Sequence, residues 1–176
     1  MPQREITLSP SEEEVFTFLD AIGADTFAYY PQALKTPEAQ ALKREYPKEF
    51  RRMLWKVGFN GWAFLWAILV GGPWWYYKKR MWLKGSVLFI GLFLGGVLLK
   101  TVTLGESLTW YVVAAGVFIA MLANRDLYYF VRKNEEIWPF LSFLDNTAGK
   151  ILVHMLAALV IVFSLYWLIA LMPIQS

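Results

Sequence analysis

Few side chains in this sequence have the types and spacing that catalysis or metal binding requires. His154 is the only histidine and cysteine is absent, which excludes disulfides, thiolate nucleophiles and cysteine-ligated metals. Glu106 is the only acidic residue between Lys84 and Asp126. Because proton relays and metal sites need several carboxylates or histidines that face one another, neither residue predicts such a site. We interpret His154 as a hydrogen-bonded structural histidine and Glu106 as a solvated loop residue.

Sequence motifs for catalysis are also missing. There is no Ser-His-Asp set, no glycine-rich phosphate loop, no HExxH and no EF-hand loop. The sequence therefore predicts no catalytic residues, no cofactor, no metal ligands and no enzymatic activity.

The elements that carry these residues are strongly apolar. The chain of 176 residues is 57% hydrophobic and 18% aromatic, with a mean hydropathy of +0.41, whereas soluble domains average roughly 45–50% apolar residues. The apolar segments lie at about 61–77, 85–104, 107–124 and 151–172. Runs of about 18 or more such residues indicate membrane spans. We expect an all-α fold: a polytopic helical membrane protein with three or four transmembrane helices.

The first apolar segment, 61–77, is short and is broken by Gly71-Gly72-Pro73. Basic clusters flank it on both sides, at Lys43–Lys56 and Lys78–Lys84. The positive-inside rule places both clusters in the cytoplasm, which favours a re-entrant hairpin over a strained crossing, although both stay open. The predicted location is the bacterial inner membrane, multi-pass, with a cytoplasmic N-terminus and a periplasmic Ser176. A nucleic-acid-binding patch is the competing interpretation of the basic clusters, and we expect no nucleic acid partner.

Residues 1–57 are predicted to form a cytoplasmic or interfacial region of amphipathic helices, and 58–176 the membrane domain. Ser9 to Glu12 form a capping box that begins a helix over about 10–22. One face of this helix is apolar, and its other faces are mostly acidic. Because an anionic membrane repels acidic side chains, we expect the apolar face to dock on protein. The predicted protein-interaction residues are Val15, Phe18, Leu19 and Ile22.

A basic amphipathic helix is predicted from Lys48, with Phe50, Met53 and Val57 on its apolar face. This pattern is typical of a helix that lies in the membrane interface, although a helix packed on the protein fits it too. Tryptophans beside basic residues favour anchoring at the lipid headgroups. The predicted membrane-interface residues are Arg51, Arg52, Trp55, Trp74, Trp75, Lys78, Lys79 and Arg80. A quinone or lipid site is an alternative role for the aromatic group formed by Trp62, Trp66, Trp74, Trp75, Tyr76, Tyr77 and Trp82.

Small residues recur on the apolar segments. Gly91, Gly95 and Gly96 form a small-xxx-small pattern, and Gly116 offers a similar surface on the next segment. Such patterns allow close helix packing, either within one chain or between copies.

Three groups of residues between about 59 and 132 resemble a known family. They are Asn60, Ala63, Phe64, Trp74 and Tyr77; then Met81, Trp82, Lys84 and Gly85; then Ala123, Asn124, Tyr128 and Tyr129. In this order they resemble the signature of a widespread bacterial family of small inner-membrane proteins of unknown function. The resemblance implies the membrane class and topology, and it implies no catalytic residues.

The function that we expect is a non-catalytic accessory or structural subunit of a larger inner-membrane complex, with the lipid bilayer and membrane subunits as partners. A small homo-oligomeric channel or transporter is the alternative, although the long spans offer few polar residues to line a pore. A membrane enzyme or redox carrier would need ligands that the sequence lacks.

Overall fold

The structure is a computed structural model that describes residues 6–27, 30–103 and 108–171; the side chains of 70–71, 100–103, 108–109 and 164–171 are outside that description. Glu106, which is predicted to be a solvated loop residue, lies outside the described residues. In the described part of the chain all regular structure is helical, which confirms the all-α prediction. The α-helices are α1 (Pro10–Ala21), α2 (Tyr30–Ala33), α3 (Pro37–Glu45), α4 (Pro47–Gly58), α5 (Gly61–Trp66), α6 (Trp74–Lys78), α7 (Trp82–Thr103), α8 (Leu108–Lys133) and α9 (Thr147–Leu171).

Helix α1 begins as the capping box predicts. The Ser9 backbone N–H donates to the Glu12 carboxylate at 2.7 Å, and the Ser9 hydroxyl accepts from the Glu12 N–H. After the helix, Gly23 adopts a left-handed conformation with φ of 65°, which a glycine tolerates without strain. Local sequence signals therefore fix both ends of α1.

Helices α7, α8 and α9 form the long part of the molecule. Helix α9 runs parallel to α7, since Ser86 contacts His154 near their starts and Phe93 contacts Phe163 further along. Helix α8 continues beyond the predicted span, through the aromatic segment to Lys133. Packing explains why α8 is longer than predicted, because the added residues Leu127 to Phe130 are buried in the core.

Two of these helices are long and apolar enough to cross a membrane. The qualifying stretches are Trp82–Leu99 in α7 and Trp110–Lys133 in α8, of which 28% and 39% of the residues are buried. The described apolar part of α9, Thr147–Phe163, is shorter. A core helix of a soluble protein would be mostly buried, whereas most residues of these two stretches are at least partly exposed.

The first apolar segment folds as a broken hairpin. Helix α5 continues into a π-helical turn, Ala67–Gly71, and the chain reverses at Gly72, whose φ of 100° favours glycine. Asn60 at its start donates its N–H to the Ala120 carbonyl of α8 at 2.9 Å, and Ile68 contacts Gly116. Tyr76 on the return helix α6 again reaches Asp126 of α8. The segment therefore enters and leaves at the same end of α8, so that within the molecule it is a hairpin and not a traverse.

Candidate functional site

Lys84 is the centre of a buried ionic network. It lies in the first turn of α7, and its side chain is 0% exposed. Met81 and Leu88, one turn before and after it, are also buried, so the lysine occupies the apolar face of its helix. A buried ammonium requires oppositely charged partners, because desolvation without them costs several kcal/mol.

Two carboxylates supply these partners. The Lys84 Nζ lies 2.8 Å from Oε1 of Glu135 and 3.5 Å from Oδ1 of Asp126, whose side chains are 14% and 5% exposed. The Tyr76 hydroxyl donates to Oδ2 of Asp126 at 2.6 Å, and the Trp138 indole N–H donates to Oδ1 at 2.8 Å. The Lys84 Nζ also lies 5.7 Å from the centre of the Trp138 ring. The network therefore joins the hairpin, α7, α8 and the segment after α8.

Backbone geometry places Glu135 in this network. Asn134 follows the last residue of α8 with a φ of 55°, in the left-handed region that asparagine tolerates better than most residues. The chain reverses there, and the Glu135 N–H donates to the Tyr129 carbonyl at 3.3 Å. The turn at Asn134 that ends α8 therefore also brings the next residue, Glu135, to Lys84.

This network was not predicted from the sequence. Lys84 and Glu135 are far apart in sequence, so their proximity depends on the tertiary fold. One local signal was available: Asp126 follows Ile119 and Ala123 at helical spacing and precedes Phe130, and those three residues are buried. A charged residue on the apolar face of a helix indicates a buried partner of opposite charge.

A pocket of about 570 Å³ lies beside the network, between α7 and α8. Helix α7 contributes Leu88, Gly91 and Leu92 to its walls, and α8 contributes Phe118 and Leu122. Its volume is in the range of small-molecule sites, about 300–1,000 Å³. The pocket opens to the exterior at Gly91 and Phe118, which are exposed.

The other end of the pocket is polar. Arg125, Asp126 and Glu135 line it, together with Tyr30 of the short helix α2. Burial raises the pKa of the Tyr30 hydroxyl to about 12, so this group stays neutral and can donate a hydrogen bond at physiological pH. The Arg125 guanidinium carries five N–H groups, and two of its nitrogens donate to the Met121 carbonyl, at 3.2 and 2.7 Å. An apolar wall with charges of both signs at one end suits an amphipathic ligand.

A second polar contact ties the start of the hairpin to α8. The Asn60 side-chain amide donates to Oδ1 of Asn124 at 2.6 Å, and Asn124 donates to the Lys56 carbonyl, also at 2.6 Å. The Asn60 side-chain oxygen accepts from the Ala63 N–H and so caps α5. Two residues that carry the family resemblance thus bond to each other.

The apolar face of α1 packs within the chain. Val15, Phe18, Leu19 and Ile22 are each at most 6% exposed, and the Phe18 ring meets Phe50 of α4 edge-on at 5.4 Å. The face does dock on protein, but that protein is the chain itself. This revises the assignment of these four residues to a contact with another subunit, because they have no free surface.

Three acidic residues of α1 form ion pairs that stabilise the packing of this helix on the rest of the chain. Glu12 pairs with Lys79 at 2.7 Å, Glu14 pairs with Lys56, and Asp20 pairs with Arg132 and accepts from the Tyr128 hydroxyl at 2.8 Å. The hydrogen bond from Lys56 is the main cause that lowers the pKa of the Glu14 carboxyl. These pairs join α1 to basic residues beside the apolar segments.

The predicted membrane-interface residues divide into two groups. Arg51, Arg52, Trp55, Lys78 and Arg80 are exposed, as an interfacial role requires. Trp75 is 2% exposed and packs in the core, and Trp74 is half-buried. Lys79 forms an ion pair with Glu12. Trp75 and Lys79 thus make their contacts within the chain, and the interfacial assignment of the eight residues stays a prediction. The apolar face of α4 is covered as well, since Phe50, Met53 and Val57 are buried within the chain, as the packed-helix alternative predicts.

The four predicted packing glycines have different surroundings. A Cβ on Gly116 would lie 3.0 Å from Ile68, and one on Gly95 would lie 2.6 Å from the Tyr111 hydroxyl oxygen. Gly96 faces the same tyrosine ring at 3.3 Å, whereas Gly91 has open space and lines the pocket. Close packing within the chain therefore involves three of the four.

His154 is hydrogen-bonded, as predicted: its Nδ1 and the Ser86 Oγ lie 3.0 Å apart. Among the described residues, no group of three or more His, Cys, Asp or Glu side chains is placed to hold a metal ion. Comparisons of the chain with the models of known protein families, with curated proteins and with solved structures find no match. The family resemblance stays a prediction, and the function has to be argued from the site.

Proposed function

We propose that this chain is a multi-pass protein of the bacterial cytoplasmic membrane with a helical layer, α1 to α4, on the cytoplasmic side. The exposed apolar faces of α7, α8 and α9 support membrane insertion. Large side chains along them, such as Leu98, Phe118 and Leu159, are 51–66% exposed, and water would disfavour so continuous an apolar surface.

The distribution of charge supports the orientation. Lys84 at the start of α7 meets Asp126 near the end of α8, so these helix ends and the N-terminal layer share one end of the molecule. Between Gly85 and Asn124, Lys100 is the only basic residue. The positive-inside rule assigns the basic end to the cytoplasm.

Within the membrane we propose a non-catalytic role, as an accessory or structural subunit of a larger assembly. The observation that carries this proposal is the saturation of the buried polar groups. Among the described residues, every buried side-chain nitrogen or oxygen has a hydrogen-bond partner. A fully satisfied buried network makes a fold rigid and unique, whereas catalytic groups are commonly left poised for a substrate.

Native purification in mild detergent tests the accessory role. A tagged chain should recover at least one other membrane protein in a fixed ratio, and the untagged strain should recover none. A symmetric oligomer of this chain alone would contradict the proposal and favour the channel alternative. A chain that elutes alone as a monomer would contradict both.

A further inference from the structure

The pocket between α7 and α8 has a polarity gradient that matches one leaflet of a bilayer. Its polar end lies at the level of Lys84, and its apolar wall extends to Leu92. Eight residues of α-helix rise about 12 Å, close to half of the roughly 30 Å hydrocarbon core. A molecule in this pocket would place a polar group at the cytoplasmic end and an apolar chain beyond it.

The charges at the polar end are of both signs, and each is incompletely balanced. Lys84 is one ammonium between two carboxylates, Asp126 and Glu135, so the buried network has an excess negative charge that Glu135 presents to the pocket. Arg125 lines the same pocket, and no ion pair among the described residues includes it. A matching ligand therefore carries one anionic and one cationic group.

We propose that this pocket binds one phospholipid whose headgroup combines a phosphate with a primary amine. The phosphate lies against Arg125 and the ammonium against Glu135, while an acyl chain follows Leu88, Leu92 and Leu122 out of the opening at Gly91. This goes beyond the accessory role and rests on the membrane placement of α7 and α8.

The same charges disfavour other lipids. A headgroup with only a negative charge would meet the excess negative charge that Glu135 presents to the pocket, and like charges repel strongly at low dielectric. A quaternary amine has no N–H to donate to the carboxylate, and charge-assisted hydrogen bonds are the stronger kind. A neutral ring compound would leave both Arg125 and Glu135 without a counter-charge.

Gly91 provides a decisive variant. A Cβ at this position would meet nothing within 4 Å, so Gly91→Phe directs a ring into open pocket space without displacing its own helix. Gly58 on α4 has equally open surroundings and lies outside this pocket, so Gly58→Phe is the matched control. Thermal unfolding of both variants checks that each is folded.

Native mass spectrometry of the purified chain in mild detergent measures the binding. Phosphatidylethanolamine, phosphatidylcholine and phosphatidylglycerol with identical acyl chains are added separately at equal concentrations. We compare the binding of the first lipid molecule to each chain. Phosphatidylethanolamine should bind about tenfold more tightly than phosphatidylcholine or phosphatidylglycerol, which is the size of effect that a charge-assisted hydrogen bond gives. Gly91→Phe should reduce this binding about tenfold, and Gly58→Phe should leave it unchanged.

Charge variants and a soluble competitor complete the test. Glu135→Gln should reduce the ratio of the affinity for phosphatidylethanolamine to the affinity for phosphatidylglycerol. Arg125→Gln should weaken the binding of both lipids. Free phosphoethanolamine at the same concentration should not displace the lipid, because the apolar wall supplies part of the affinity. Equal binding of phosphatidylglycerol, unchanged binding by Gly91→Phe, or displacement by the free headgroup would each overturn the proposal. Because these readouts need no partner protein, they can fail while the accessory role stands.

Discussion

Replacement of Lys84 by methionine tests the ionic network directly. The side chain is 0% exposed, and its two carboxylate partners are 5% and 14% exposed. Removal of one member of a buried ion pair costs about 3–5 kcal/mol, because the remaining charge loses its compensation. In a chain of this size about 1 kcal/mol shifts the melting temperature by roughly 2–4 °C, so we expect Lys84→Met to lower it by about 6–20 °C.

The assay is thermal unfolding in mild detergent, followed by tryptophan fluorescence, to which Trp138 contributes as a direct contact of the network. Lys43→Met is the matched control: this exposed lysine of α3 should change the free energy of unfolding by less than about 0.5 kcal/mol. Adding Glu135→Gln to Lys84→Met should restore part of the loss, since Asp126 keeps its bonds to Tyr76 and Trp138. If Lys84→Met melts at the same temperature as the Lys43 variant, the reasoning is refuted.

Three further variants probe other contacts. Phe18→Ser with Leu19→Ser should make the N-terminal layer sensitive to limited proteolysis without changing membrane insertion, since each buried side chain contributes about 2–5 kcal/mol; unchanged protease resistance would contradict this. Asn124→Ala should lower the free energy of unfolding by about 1–3 kcal/mol, because the buried Asn60 amide loses its acceptor; an unchanged melting temperature would show that the contact is dispensable. His154→Gln should leave membrane levels and partner recovery within a few-fold, and a complete loss of partner recovery at normal membrane levels would show that the histidine has a functional role.

Local signals in the sequence were enough to predict much of the fold. The capping box at Ser9 and the break at Gly72 each act within a few residues, so the start of α1 and the broken segment could be predicted. The long apolar runs after Gly85 predicted the long helices. The apolar face of α1 was also identified, with its expectation of a protein contact. The sequence gives no indication that this contact lies within the same chain, because its partner Phe50 is remote.

The candidate site was not predictable in the same way. Lys84 was assigned to a basic cluster beside the broken segment, and Glu135 was not singled out. Their pairing exists only because α8 continues to Lys133 and is followed by a left-handed Asn134. Basic residues beside the apolar segments were interpreted through the positive-inside rule and headgroup anchoring. In the structure Lys79 pairs with Glu12 and Arg132 with Asp20. Pairing between distant segments removes charges from the membrane surface, and sequence position alone does not show it.

The most direct test of the proposed membrane arrangement is the side on which each end of the hairpin lies. The chain has no cysteine, so single substitutions can be labelled without a background signal. Lys43→Cys precedes the hairpin, Lys78→Cys follows it, and both positions are exposed. With a membrane-impermeant maleimide, we expect that neither cysteine is labelled in intact spheroplasts and that both are labelled after lysis. Labelling of one of the two in intact spheroplasts would mean that the segment crosses the membrane and would contradict the re-entrant arrangement.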